Sequence, residues 1–325
     1  MSVLTARSNA APATLTSPGS ERRSPYRLHG SPLWGYLFVG PPLVVFAIFN
    51  VWPILRGIVM AFQDYRWLVP RTQCIWCTNG LANYAELLQD DTFWHSLRVS
   101  AAYTLMYTPT TILLALLVAV LIGQVRSSRL EGVYRVICYL PVVLPVTAAV
   151  LVWKSIYDTQ FGYLNQLLTA VLGIQSPPNW LGSPEWALVA AVIPAIWRNF
   201  GYDMLLFLVG LYGIGSELYE AASIDGAGAF ERLRFITLPL LKPTFVLVLV
   251  ISAGVVSATE EMLLMFGSVG GPGESALTAG LYAYRTAFLV GDMRLGYAAS
   301  INLVLGLIQM AMAGAVFLFF RTERG

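Results

Sequence analysis

Four long stretches of this chain contain no Asp, Glu, Lys or Arg, and they constrain its fold more than any other feature. They cover residues 28–55, 99–125, 136–153 and 295–320. An α-helix needs about 20 mainly apolar residues to cross the hydrocarbon core of a bilayer. Each stretch is close to that length or longer, which predicts four membrane-spanning helices.

Two further stretches, residues 186–212 and 244–266, are apolar apart from two charged residues in each. Counting both as spans predicts an all-α integral membrane protein with six transmembrane helices. The composition agrees, because 57% of the residues are hydrophobic and only 12% are charged, whereas a soluble domain carries about 25% charged residues. This balance excludes most soluble enzymes, disordered proteins and nucleic-acid-binding proteins.

A fifth charge-free stretch, residues 159–184, does not fit a span. It contains Pro177 and Pro178 together with Gly162 and Gly182. Consecutive prolines break a helix, because they lack backbone N–H groups and their rings clash with the preceding turn. The sequence therefore predicts a short helix on the membrane surface here, followed by a loop.

Basic residues are distributed unevenly over the connecting segments. If the N-terminus is cytoplasmic, the inner segments hold twelve Lys and Arg residues and the outer segments hold six. Inner loops carry the excess of Lys and Arg, so both termini are predicted to be cytoplasmic. The chain then divides into a flexible N-terminal tail (1–32), a six-helix domain (33–320) with a cytoplasmic loop at 213–243, and a C-terminal end (321–325).

This cytoplasmic loop contains a dense series of helix and turn signals. Glu220 lies in an early turn of a predicted helix, where the macrodipole favours acidic side chains, and Ala221 and Ala222 are good helix formers. Asp225-Gly226 signals a turn, and a second short helix is predicted over residues 230–238. The loop is therefore predicted to be a compact helix–turn–helix at the membrane face, with small residues exposed for close contact with another protein.

The same loop strongly resembles the EAA signature of ATP-binding-cassette (ABC) importer permeases. That signature has Glu-Ala-Ala, a Gly six residues after the Glu, and Ile-x-Leu-Pro ten residues after that Gly. The matching residues here are Glu220, Ala221, Ala222, Gly226, Ile236, Leu238 and Pro239.

From about residue 33 to residue 320 the chain also looks like the maltose-type sugar permeases. The supporting segments include Gly162-Tyr163-Leu164-Asn165 and Gly270-Gly271-Pro272. Two positions depart from the pattern, because Ile214-Gly215 stands where Ile-Pro is usual and Val269 stands where a Thr often precedes Gly-Gly-Pro.

The resemblance implies the type I ABC importer permease fold in a bacterial cell membrane. It also implies four kinds of partner: a second permease subunit in a heterodimer, two ABC subunits that bind ATP and Mg²⁺, an extracytoplasmic solute-binding protein, and a sugar. The chain itself would be non-catalytic and have no cofactor, and it lacks the Gly-x-x-x-x-Gly-Lys-Ser/Thr motif of an ATP-binding loop. The ATPase-coupling residues that it implies are Glu220, Ala221, Ala222, Asp225, Gly226 and Ala227.

Charged residues inside the predicted spans point to a polar interior. Arg198, Asp203, Glu260 and Glu261 would each cost roughly 2.5–3.5 kcal/mol if they faced lipid at mid-depth. Two interpretations follow: a structural Arg–Glu bridge between the fourth and fifth spans, or a polar cavity that binds sugar hydroxyls. By resemblance, the substrate pathway would include Arg198, Asn199, Tyr202, Ser257 and Glu260.

Several alternatives stay open on the sequence alone. Arg198 would suit an anionic substrate, such as a glycerol phosphate or another acidic sugar derivative. A membrane-embedded enzyme would use the acids as proton donors and acceptors, but a metal-dependent one would need His or Cys near them, and the sequence has none there. A secondary transporter would usually show an internal repeat, and the spans show none.

Cysteine and proline positions give two smaller predictions. Cys74 and Cys77 lie in the first outer loop, where they would form a local disulfide or remain as two thiols. Pro141 and Pro145 lie within the third predicted span and predict a kink there.

Overall fold

The structure of the protein, a computed structural model, describes residues 32–73 and 78–321. Residues 1–31 of the predicted tail, residues 322–325, Cys74 and Cys77 lie outside this part of the chain. Every regular element within it is helical. In chain order, the α-helices are α1 (Pro32–Phe46), α2 (Trp52–Met60), α3 (Ala82–Leu88), α4 (Asp91–Gly123), α5 (Ser128–Val143), α6 (Val146–Ile156), α7 (Tyr163–Leu172), α8 (Pro184–Tyr212), α9 (Ser216–Ile224), α10 (Ala229–Arg232), α11 (Leu238–Leu240), α12 (Lys242–Ser252), α13 (Thr259–Phe266), α14 (Ala279–Phe288) and α15 (Leu295–Arg321).

The chain divides into two compact units, residues 1–53 and 54–325. In the first unit, the described residues form α1 and a π-helical turn, Ala47–Val51. The helical stretch Tyr36–Met60 is long and apolar enough to cross a membrane. The first predicted span is thereby confirmed, and it extends further toward the C-terminus than the charge pattern indicated.

Three other predicted spans are single long helices. Asp91–Gly123, Pro184–Tyr212 and Leu295–Phe320 are each long and apolar enough to cross a membrane. The first of them begins at a strong cap, because the carboxylate of Asp90 accepts hydrogen bonds from the backbone N–H groups of Thr92 and Phe93 at 2.9 and 3.2 Å.

The third predicted span is bent by 96° between α5 and α6. Pro141 lies inside α5, and Pro145 occupies the N-cap position of α6. Leu144 between them has an extended backbone, as expected for a residue that precedes proline. The predicted kink is confirmed.

The fifth span differs from its prediction. Residues 244–266 do not form one helix, because α12 ends at Ser252 and a 3₁₀ turn, Ala253–Val256, follows it. By length and composition alone, α12 passes as a span only when it is taken together with the preceding segment Ala229–Leu240, from which it is bent by 66°. The acidic pair of the prediction therefore lies on a separate short helix, α13, which begins after Ala258 in the left-handed region (φ +33°).

Neighbouring side chains stabilise this interruption of the helix. The carbonyl oxygens of Ser257 and Ala258 accept hydrogen bonds from the hydroxyls of Thr259 and Thr278 at 3.3 and 3.4 Å. Gln309 of α15 donates to the Ser257 hydroxyl at 3.1 Å. Irregular backbone at membrane depth is tolerated where protein groups replace the lost helical hydrogen bonds. Helix periodicity alone does not reveal such distant partners, which is why the prediction failed.

The segment that contains Pro177 and Pro178 includes the predicted short helix, and its position on the membrane surface stays a prediction. A ten-residue helix, α7, is followed by Gly173 in the left-handed conformation (φ +67°), and α7 is too short to count as a span.

The core of the second unit lies where α4 and α8 meet their neighbours. Toward one end, Tyr103, Ala191, Met262 and Leu281 bring together α4, α8, α13 and α14. Toward the other end, Phe207 and other apolar residues join α4, α8 and α12, and Cys138 of α5 packs against this group.

Gly201→Ala is expected to lower the thermal stability of the protein. A Cβ atom on Gly201 would overlap the backbone carbonyl oxygen of Cys138 on α5, and overpacking of this kind typically costs about 1–3 kcal/mol. Thermal unfolding in detergent measures the effect. Gly314→Ala in α15 is the matched control, because its new methyl group would meet open space. Equal losses in the two variants would contradict the close approach of α5 and α8.

Candidate functional site: a polar cavity and an exposed helical hairpin

A cavity of about 350 Å³ lies between α4, α8, α13 and the end of α12. It brings together several charged residues that the sequence placed inside spans. The residues that line it are Tyr103, Tyr107, Arg198, Asn199, Tyr202, Asp203, Ile251, Ser252, Gly254, Ala258, Thr259, Glu260 and Glu261. Four of the five predicted pathway residues are therefore neighbours in space.

Helix α8 supplies the polar wall of the cavity. Asn199 and Tyr202 are three residues apart and both line it, as their helical spacing predicts. The Asn199 side-chain amide donates a hydrogen bond to the carbonyl oxygen of Ala195 at 2.8 Å. Tyr202 is 42% exposed, so its ring is available to a solute.

The predicted Arg–Glu bridge is present. Arg198 of α8 and Glu261 of α13 form an ion pair with an Nη2–Oε1 distance of 3.3 Å. The left-handed backbone at Ala258 starts α13 so that both glutamates fall in its first turn. The bridge and the cavity, which were alternatives on the sequence, are two aspects of one site.

Ser257 and Trp197 are not part of the lining. The Ser257 hydroxyl accepts a hydrogen bond from Gln309, on the interruption between α12 and α13. Trp197 packs edge-to-face against Trp153 of α6, with ring centroids 5.9 Å apart. The resemblance placed Ser257 in the pathway, on a fifth span that was taken to be one continuous helix.

Sequence reasoning also missed the contribution of α4. Tyr103 and Tyr107 line the cavity, and their rings are nearly parallel with centroids 6.0 Å apart. Their spacing of four residues in a charge-free span was the available signal, because it places both on one helical face.

The loop at 213–243 forms the predicted helical hairpin. Helix α9 ends in a Schellman motif, in which Ala227 N–H bonds to the Ala222 carbonyl at 2.9 Å and Gly226 N–H to the Ser223 carbonyl at 3.2 Å. Gly226 has φ +82°, a conformation that glycine adopts without steric cost. The Asp225-Gly226 turn is thereby confirmed.

Further hydrogen bonds hold the two arms of the hairpin together. Arg232 donates to the Ser223 hydroxyl on the other arm at 3.0 Å, while the carboxylate of Glu231 caps α10 by accepting from the N–H of Gly228 at 2.7 Å. Below the turn, the hydroxyls of Tyr219 and Thr237 are 3.0 Å apart. The hairpin is therefore an ordered unit rather than a loose connection.

The tip of the hairpin presents an apolar surface beside the EAA residues. Glu220, Ala221, Asp225 and Gly226 are exposed, whereas Ala222 and Ala227 are half-buried. Ile224 is 86% exposed and Phe230 is 70% exposed. Both large apolar side chains therefore lie exposed on an ordered polar turn, where another protein could cover them.

A group of polar residues joins α5 to α8 just before the hairpin. Arg135 of α5 donates a hydrogen bond to the hydroxyl of Tyr212 at 2.6 Å, and Glu131 bonds to both residues. The guanidinium also lies over the Tyr212 ring, 5.1 Å from its centroid. The base of the hairpin is thus attached to the bent third span.

Residues 32–73 and 78–321 contain no group of three or more His, Cys, Asp or Glu residues arranged to hold a metal ion.

Comparison with known proteins identifies relatives over most of the chain. A family profile described as "Binding-protein-dependent transport system inner membrane component" matches residues 100–322. The chain is 31% identical to the lactose transport system permease protein of Rhizobium radiobacter, over 89% of this chain and 94% of that protein. It is 33% identical to the trehalose/maltose transport system permease protein of Thermococcus litoralis, over 82% and 87%. It is also 33% identical to the diacetylchitobiose uptake system permease protein of Streptomyces coelicolor, over 89% and 82%.

Two solved structures share the fold. One is a bacterial ABC transporter involved in the import of the acidic polysaccharide alginate, with a TM-score of 0.74 and 22% identity over 90% of this chain and 97% of that one. The other is a bacterial alginate ABC transporter in complex with an alginate pentasaccharide-bound periplasmic protein, with a TM-score of 0.72 and 23% identity over 88% and 93%.

Proposed function

The chain belongs to the family of binding-protein-dependent transport system inner membrane components, and on that premise we propose that it forms half of the translocation pathway for a sugar in an ABC importer. The observation that carries the proposal is the ordered, exposed hairpin with the EAA pattern at its tip. Exposed apolar surface on an ordered element marks a site of contact with another protein or with a membrane. The names of the three relatives above each specify a sugar, which supports the substrate class.

The hairpin is proposed to be the contact with an ATPase subunit. Glu220 would pair with a basic residue of that subunit, while Ala221, Ala222 and Ala227 allow close approach. Gly226 supplies the turn and Asp225 precedes it. ATP and Mg²⁺ would bind to the partner subunits, so that this chain transmits movement rather than catalyses hydrolysis.

The cavity is proposed to be the sugar pathway. A sugar hydroxyl both donates and accepts hydrogen bonds, and the lining offers both kinds of partner. Arg198, Asn199 and Tyr202 provide donors, whereas Asp203 and Glu260 accept. The exposed Tyr202 ring offers a flat apolar face for the sugar ring. Ser257 is left out of this set because its hydroxyl bonds to Gln309 away from the lining.

The proposed assembly has this chain, a second permease subunit, two ATPase subunits and an extracytoplasmic solute-binding protein. Both termini and the hairpin would lie in the cytoplasm of a bacterial cell, and the opposite end of the bundle would receive the binding protein. Closure of the ATPase dimer would bring the two hairpins together and open the cavity outward. Their release would return it to the inward-facing state.

The alternative functions lose support on specific grounds. Arg198, which motivated an anionic substrate, is already paired with Glu261. Neither an enzyme nor a secondary transporter explains why the chain has an ordered, exposed hairpin. ATP dependence of uptake in a reconstituted complex separates both from the proposed function.

Glu220→Ala is expected to reduce transport-coupled ATP hydrolysis several-fold. The assembled importer is placed in nanodiscs with its solute-binding protein, which is loaded from a panel of neutral and acidic sugars, and ATPase activity is measured. Wild type should be stimulated by at least one sugar. The variant should lose most of that stimulation, because the hairpin would lack its charged contact with the ATPase.

Glu185→Ala provides the matched control. Glu185, like Glu220, is an exposed glutamate on a helix, but it lies in the first turn of α8, the far end from the hairpin. The amount of ATPase subunit that co-purifies is also measured for both variants: Glu220→Ala should lower it, and Glu185→Ala should leave it unchanged. Stimulation by no sugar in an intact, ATP-competent assembly would contradict the sugar assignment. Full stimulation in Glu220→Ala would contradict the role of that residue in coupling.

A further inference from the structure

One carboxylate in the cavity is deeply buried and has no partner in the described part of the chain. Asp203 is only 4% exposed, yet it lines the cavity. None of the hydrogen bonds or ion pairs among residues 32–73 and 78–321 involves its side chain. A carboxylate at such a position is costly to leave without a partner, and because it lines the cavity, a solute there can supply one.

The other charged groups of the lining do not neutralise Asp203. The lining contains one basic residue, Arg198, and three acidic residues, Asp203, Glu260 and Glu261. Arg198 already pairs with Glu261 at 3.3 Å. No described ion pair involves Glu260, so two carboxylates remain without a counter-charge. The remaining lining residues are tyrosines and uncharged side chains.

We propose that Asp203 and Glu260 make this cavity selective against anionic solutes, so that the transported sugar carries no carboxylate, phosphate or sulfate group. The inference rests on the proposed function for the identity of the solute as a sugar. Neutral hydroxyls donate hydrogen bonds to both carboxylates, and a sugar amine would supply the missing positive charge. An acidic sugar would bring a third unpaired negative charge into the cavity.

The size of the effect follows from Coulomb's law. A unit charge about 8 Å from a carboxylate changes the local concentration of a charged solute roughly two- to thirty-fold, for effective dielectric constants between about 80 and 20. The effect has opposite signs for a cation and an anion. The ratio of cation to anion access therefore responds to the charge of the cavity more strongly than either access rate alone.

The test measures that ratio directly with a reporter thiol. In the assembled importer, with the three native cysteines replaced by serine, Tyr202→Cys places a thiol on the exposed part of the lining. Its modification rates are measured with a cationic reagent, trimethylammonioethyl methanethiosulfonate, and an anionic one, sulfonatoethyl methanethiosulfonate. The same ratio at Gln166→Cys, an exposed position on α7, corrects for the intrinsic reactivities.

The expected result is a corrected cation-to-anion ratio at Tyr202→Cys of about ten or more at low salt. High salt should reduce it by screening. Asp203→Asn and Glu260→Gln should each lower it several-fold, whereas Glu185→Gln, on α8 but outside the lining, should leave it unchanged. If the two acids only supported the structure, their substitution would change the modification rates with both reagents equally. The ratio would then not depend on salt.

Several outcomes would overturn the inference. A corrected ratio near one, or a ratio that neither variant changes, would show that the carboxylates do not set the field in the cavity. Failure of both reagents at Tyr202→Cys and at a second lining reporter, Thr259→Cys, would show that charged solutes do not enter at all. The labelling needs neither ATP hydrolysis nor uptake, so its failure is distinguishable from failure of the proposed sugar import.

Discussion

Asp90→Ala is expected to lower the free energy of unfolding by about 3–5 kcal/mol. The Asp90 carboxylate accepts hydrogen bonds from the hydroxyls of Tyr282 and Tyr297 at 2.5 and 2.6 Å, in addition to the two backbone N–H groups that it caps. It therefore joins the start of α4 to α14 and α15. Alanine would leave both tyrosine hydroxyls without this acceptor and remove the cap of a long span.

Equilibrium unfolding in mixed detergent micelles measures this loss, and two neighbouring changes calibrate it. Asp90→Asn should lower the free energy of unfolding less than Asp90→Ala does, because asparagine is also a good N-cap and still accepts a hydrogen bond. Asp91→Ala removes an exposed acid from the same turn and should cost no more than about 1 kcal/mol. Similar losses for Asp90→Ala and Asp91→Ala would show that the tyrosine contacts contribute little.

The contribution of Asp90 should also depend on pH in a defined direction. Burial by itself would raise the pKa of Asp90, but the hydrogen bonds from Tyr282, Tyr297 and the two backbone N–H groups lower it below its ordinary value. A carboxyl with a lowered folded-state pKa stabilises the protein above its unfolded-state pKa and loses that contribution as the pH falls through the folded-state value. The difference between wild type and Asp90→Ala should therefore shrink only at strongly acidic pH.

The sequence predicts the helical spans well where one residue pattern is sufficient. Charge-free stretches long enough to cross a bilayer mark α4 and α15, because lipid tolerates few charges in such a helix. The Pro141 and Pro145 pair marks the bend between α5 and α6, because proline removes helical hydrogen bonds locally. These features depend on residues close together in the chain.

The interruption after α12 shows where such prediction stops. Nothing within residues 244–266 demands a break at Ala258. The broken form is stabilised by Thr278 and Gln309, which are distant in sequence and supply hydrogen bonds to the freed backbone and to Ser257. The position of Ser257 therefore depended on tertiary contacts that helical spacing does not contain.

The same distinction between local spacing and tertiary contacts applies to the candidate site. The turn at Gly226 and the shared face of Asn199 and Tyr202 follow from local spacing. The choice of Glu261 rather than Glu260 as the partner of Arg198 does not, because it depends on how α13 starts. The orientation of the termini, which depends on the distribution of basic residues alone, stays a prediction.

Arg198→Ala is also expected to have a large effect and to lower the free energy of unfolding by about 2–4 kcal/mol. Removing one partner from a buried ion pair typically costs 3–5 kcal/mol, because an uncompensated charge remains. The side chains of Arg198 and Glu261 are 20% and 22% exposed, which reduces that figure. The variant would leave Glu261 unpaired beside Glu260 and Asp203, so the cavity would hold three carboxylates and no counter-charge.

A double variant tests this explanation, again by unfolding in mixed detergent micelles. Arg198→Ala/Glu261→Ala should recover most of the loss, because it removes the orphaned charge as well as its partner. Arg66→Ala is the control at a more exposed ion pair, since Arg66 and Asp292 are 33% and 54% exposed, and should cost no more than about 1 kcal/mol. If the double variant is less stable than Arg198→Ala alone, packing of the two side chains rather than charge compensation is what stabilises the junction of α8 with α13.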